Sequence, residues 1–65
     1  MDKTILCCFE DRTLAQLTLS RLSALFEFSS VCLPDGTMVL ECTPENCPLI
    51  IEKLAFMGAA WVKAV

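Results

Sequence analysis

Hydrophobic and polar positions divide the chain into six periodic segments. Residues 4–9 (TILCCF) form a short apolar run with a β-branched start and charges on either side. A run apolar on both strand faces predicts a central strand. Glu10 and Asp11 then lead into a helix over residues 13–27. Thr13 with Gln16 fits a capping box, and Asp11 is the competing cap, favoured by the helix dipole. Leu14, Leu17, Leu22 and Leu25 recur close to one face of a 3.6-residue period, with Gln16, Ser20, Ser23 and Glu27 opposite. Ala15, Leu19 and Phe26 widen the apolar sector. Arg21 falls inside it, where the stem packs and the head must reach water or a carboxylate such as Glu27 or Glu52.

Residues 28–33 (FSSVCL) and 37–42 (TMVLEC) are β-rich runs flanking Pro34-Asp35-Gly36, and they predict a hairpin. Alternation places Phe28, Ser30 and Cys32 on one face, with Val31 and Leu33 on the other. In the second strand Met38, Leu40 and Cys42 oppose Val39 and Glu41. Residues 43–48 (TPENCP) lead into a second helix, capped by Thr43 with Pro44 at its first position, or starting at Asn46 or Cys47. Its body, LIIEKLAFM, is apolar almost all round and stops at Gly58. Such a helix needs cover on more than its sheet-facing side. Residues 59–65 (AAWVKAV) predict a last strand with Trp61, Lys63 and Val65 on one face and Ala60, Val62 and Ala64 on the other.

This order, strand, helix, strand, strand, helix, strand, predicts an α+β chain in one domain, residues 1–65. With two right-handed crossovers it becomes a ferredoxin-like βαββαβ sandwich, a four-stranded antiparallel sheet with two helices on one face. An all-helical bundle is the competing architecture, and the hairpin argues against it. A 65-residue chain buries only about 60% of its unfolded surface, so its core is marginal. Yet 55% of its residues are hydrophobic and only 20% charged, against typical values of about 45–50% and about 25%. Apolar surface should remain, and such surface marks interfaces.

The net charge is −3 without histidine, and the basic residues Lys3, Arg12, Arg21, Lys53 and Lys63 are scattered. No footprint for a nucleic-acid backbone results. The uncharged stretch LAFMGAAWV at residues 54–62 is far shorter than the roughly 20 residues of a membrane span. The first residues lack the basic start and long apolar run of a secretory signal. The expected location is cytoplasmic, in a host cytoplasm if the chain is viral, with no membrane partner.

Five cysteines, Cys7, Cys8, Cys32, Cys42 and Cys47, are odd in number and without an export signal, so reduced, core-type thiols are expected. The element order resembles that of the small heavy-metal-associated domains. Those domains carry Cys-x-x-Cys between the first strand and first helix, where this chain has Phe9-Glu10-Asp11-Arg12. The metal function is therefore not carried over. Cys42 and Cys47 would sit at the start of the second helix, and Cys32 is expected roughly opposite Cys42 across the hairpin. Three thiolates suit Cu(I), or zinc with an outside ligand, but the spacing is a weak signal and neither metal nor cofactor is expected. Catalysis lacks a histidine base, a tyrosine and a glycine-rich phosphate loop, so no enzyme is expected.

The expected function is a small non-enzymatic protein-binding module, an inhibitor or adaptor that acts as a homodimer or higher homo-oligomer. Trp61, Arg21, Lys63 and Phe26 are its candidate binding residues, since aromatic residues and arginine concentrate at hot spots. The alternative is an oligomeric domain binding a small regulatory ligand between subunits, with Arg21 or Lys63 meeting an anion. Thiol metal binding ranks third.

Overall fold

The computed structural model describes residues 2–65. It is an α+β fold in the order β1 (Lys3–Cys8), α1 (Arg12–Leu25), β2 (Phe28–Cys32), β3 (Thr37–Cys42), α2 (Cys47–Phe56) and β4 (Trp61–Ala64). The strands form one sheet, β2-β3-β1-β4, with every neighbouring pair antiparallel. The doubly apolar run is thus a central strand, between β3 and β4. Its Ile5 and Cys7 are wholly buried while Thr4, Leu6 and Cys8 are half-buried.

The hairpin turn is closed by local bonds. The Gly36 N–H donates to the Leu33 carbonyl (3.0 Å), and the Leu33 N–H donates to that of Thr37 (2.8 Å). Asp35 Oδ1 accepts from the Thr37 N–H at 2.9 Å. Hydrogen bonding from Thr37 holds the Asp35 carboxyl below its ordinary range. Gly36 takes a φ of 94°, which side chains disfavour, so the Pro-Asp-Gly order matches the turn.

Asp11 caps α1, its side chain accepting from the Thr13 N–H at 2.8 Å. That start replaces the capping box expected from Thr13 and Gln16. The helix also ends at Leu25, before Glu27. Its inward stripe is Ala15, Thr18 and Leu22, supported by Leu19 and Phe26. Leu14, Leu17 and Leu25, expected to face inward with Leu22, are instead 38%, 54% and 65% exposed. One residue is about 100° of helix, so the leucines occupy the sector adjacent to the buried one. The helix packs on Ala15, Thr18 and Leu22, and turns Leu14, Leu17 and Leu25 outward.

Residues 43–46 form a turn in which the Asn46 and Cys47 N–H groups both donate to the Thr43 carbonyl (3.1 Å). α2 therefore starts at Cys47, the later of the expected positions, with Pro48 in its first turn, where no N–H is needed. At its end the Ala59 N–H reaches the Leu54 carbonyl (3.1 Å) and the Gly58 N–H that of Ala55 (3.4 Å). Gly58 has a φ of 101°. This is the Schellman arrangement, which satisfies two terminal carbonyls.

Ile5 and Cys7 from β1, and Met38, Leu40 and Cys42 from β3, share one cluster with Ala15 and Leu22 of α1 and Cys47, Ile50 and Leu54 of α2. Both helices thus cover the same sheet face. No helix among the described residues is long and apolar enough to cross a membrane.

Candidate interaction surfaces

The face of the sheet turned away from the helices follows from the register. Val31 pairs with Val39, Val39 with Leu6, and Leu6 with Lys63, giving one row across all four strands. The next row contains Thr37, Cys8 and Trp61, and the row on the other side contains Ser29, Glu41 and Thr4. Directly opposed residues lie on the same face. Trp61 is therefore on this open face, 45% exposed, while Val62 opposes the buried Cys7. Backbone bonds flank β4 and hold this register: the Ala60 N–H donates to the Cys8 carbonyl (2.8 Å), and that of Val65 to the Thr4 carbonyl (3.0 Å).

Of the four candidate binding residues, only Trp61 and Lys63 share this surface. Arg21 lies on the helical side, in a groove of about 290 Å³ with Leu14, Leu17, Thr18, Phe56 and Met57. The residue lines an apolar groove and is exposed, which suits an arginine whose head must stay wet. Phe26 packs against the core, and its backbone N–H donates to the Leu22 carbonyl (2.8 Å) at the end of α1. It is placed as a packing residue. The four do not form one site, because Arg21 and Phe26 belong to the helical side of the sheet and Trp61 and Lys63 to the other.

Three features, two of them apolar, were not singled out from sequence. Phe56 is 87% exposed at the end of α2. Val31, Val39 and Leu6 form a cross-strand row that only the register reveals. Thr18 is 1% exposed and its Oγ1 has no hydrogen-bond partner.

Cys32 pairs with Met38, and Cys42 with Phe28, so the expected opposition of Cys32 and Cys42 is incorrect. A hairpin centred on Asp35 matches residues equally distant from it, and these two are not. None of the five cysteines is in a disulfide. Among the described residues no group of three or more histidine, cysteine or carboxylate side chains is placed to hold a metal ion. Burial pushes the Cys7 thiol up to about 11, with the neighbouring Cys8 adding to the shift. Burial, then proximity to Cys47, also raises the Cys42 thiol.

Comparison with protein-family models, curated proteins and solved structures gives no match to this chain.

Proposed function

We propose that the chain is a non-enzymatic protein-binding module of the cytoplasm, an inhibitor or adaptor built on a ferredoxin-like βαββαβ sandwich and working as a homo-oligomer. The observation that supports this most is the uncovered sheet face with its Val31, Val39 and Leu6 row and Trp61 beside it. Among the described residues, nine large apolar side chains are exposed against eleven residues in the core. That balance is costly for an isolated chain in water.

The open face carries one charge of each sign, Glu41 on β3 and Lys63 on β4. A second copy docked about a two-fold axis repeats both charges, so opposite signs can pair across the axis without a separate acidic or basic partner. Light scattering of the purified chain between about 1 and 100 µM, a range that spans typical weak-dimer affinities, tests the assembly. A mass at a multiple of 7.2 kDa is expected, and a constant monomer mass rejects the homo-oligomer.

A further inference from the structure

Ser30 and Cys32 lie on the helix side of β2, opposite Leu40 and Met38, which are 0% and 3% exposed. Both are nevertheless exposed themselves. The cause is lateral: α1 leaves β2 uncovered, and a groove of about 590 Å³ opens between them. Ala15, Leu19 and Met38 provide its apolar lining, and Arg12 is its one charged residue.

The backbone beside this groove is equally unpartnered. The Leu33 N–H bonds the Thr37 carbonyl, which fixes Leu33 and Thr37 as a hydrogen-bonded pair. Alternation along an antiparallel ladder then assigns Val31 and Ser29 to bonds with β3. Phe28, Ser30 and Cys32 therefore turn their N–H and carbonyl groups outward from the sheet. β2 (FSSVC) contains neither charge nor proline, the usual protections of an edge strand. β4 is only four residues long and carries Lys63.

We infer that the groove between α1 and β2 binds an extended segment of a partner protein, which adds to β2 as a fifth, antiparallel strand and places one acidic residue beside Arg12. This rests on the protein-binding reading above and names a second surface for it. Strand addition supplies main-chain bonds to Ser30 and Cys32, while alternate side chains enter the groove. The partner residue opposite Ser30 meets Leu19 and is apolar. The one opposite Cys32 meets Arg12 and is acidic, two positions away in the partner sequence. Glu10 and Asp35 stand beyond Arg12 at the hairpin end, so a second acidic residue further along is repelled.

The test is selection from a phage-displayed library of random eight-residue peptides against the immobilised chain, followed by synthesis of the strongest binder. The expected sequences carry aspartate or glutamate two positions from an aliphatic or aromatic residue. On binding, amide hydrogen exchange should slow at Ser30 and Cys32 in the unaltered protein. Ser30→Pro removes an outward N–H without touching the bonds to β3, and should weaken binding by about tenfold or more, one charge-free hydrogen bond's worth. Arg12→Glu should weaken it at least as much. Binders without the acidic residue, or protection confined to other strands, overturn the inference, and the exchange result decides even if Ser30→Pro fails to fold. An oligomeric chain without such binders defeats this inference alone. A monomeric chain with them defeats only the homo-oligomer.

Discussion

Leu40 and Val39 are neighbours in β3, similar in chemistry, and opposite in circumstance. Leu40 is 0% exposed beneath the helices, whereas Val39 sits in a row of apolar side chains that nothing in the chain covers. The same contrast runs through β1, where Ile5 is sealed and Leu6 is half-open. Both faces carry aliphatic residues and cysteine, although the open one also holds Thr4, Ser29, Thr37, Glu41 and Lys63. What separates them is where the helices land, and that is set by chain crossover rather than by the strands themselves. A row of aliphatic side chains with Trp61 beside it, left without a cover, is the feature of this molecule that folding alone does not account for.

The contrast can be broken first at its most buried point. Leu40→Ala should destabilise the chain by about 3 kcal/mol, within the range for a buried leucine whose site cannot collapse. Val39→Ala should cost the monomer under about 1 kcal/mol, as surface changes do. Urea unfolding of both variants measures the difference, and equal losses would mean that the two faces are alike in solution. A domain of this size has only a few kcal/mol in reserve, so the urea midpoint of Leu40→Ala should fall steeply.

The sealed face also carries a pH dependence. Cys7 titrates at about 11 against an ordinary value of 9.0, because burial opposes the thiolate. A raised folded value means that the neutral thiol stabilises the fold below pH 9, and that this contribution is lost as pH rises towards 11. The loss should amount to about 2–3 kcal/mol for a shift of this size. Thiolate absorbance followed from pH 8 to 12 should show Cys7 titrating late. In Cys7→Ala the additional alkaline loss of stability should disappear, and an unchanged profile would remove Cys7 as its source.

On the open face the expected effect is on assembly. Trp61→Ala should weaken self-association by about 2 kcal/mol, the scale of a hot-spot truncation. Its cost to the folded monomer should stay well below the roughly 3–5 kcal/mol of a buried aromatic. Sedimentation and urea melts on the same variant separate these quantities. An unfolded chain would place Trp61 in the core, and unaltered assembly would remove it from the interface.

Much of this arrangement could be read from residue order. Pro34-Asp35-Gly36 marks the hairpin because each residue has a separate job in the turn, and Gly58 marks the end of α2 because the backbone there is left-handed. Strand alternation was enough to put Trp61 and Lys63 together. The orientation of α1 was not legible. Two apolar sectors lie side by side on that helix, and the leucines suggested the wrong one, because close approach to the sheet favours alanine and threonine over bulk. That rotation left Leu14 and Leu17 exposed beside Arg21, on the helical side of the sheet. The groove beside β2 was hidden for a related reason: alternation puts Ser30 and Cys32 on one face with Phe28, and only the lateral position of α1 leaves them open.

Thr18 offers the smallest test and bears on the border between the two regions. It belongs to the buried stripe of α1, at 1% exposure, yet it also lines the groove that holds Arg21 and Phe56. Its Oγ1 is buried without a partner, and an unpaired hydroxyl in an apolar setting is unfavourable. Valine keeps the branched shape and has a similar helix propensity, so Thr18→Val removes the orphaned group and little else. The expected result is a gain of up to about 1 kcal/mol, read as a higher urea midpoint at unchanged slope. Self-association through the open sheet face should not change. A loss of stability would show that the hydroxyl has a partner in solution, most simply a helical carbonyl one turn back. Altered assembly would move the interface between copies from the sheet to the α1–α2 groove, and the contrast between the two sheet faces would lose its functional meaning.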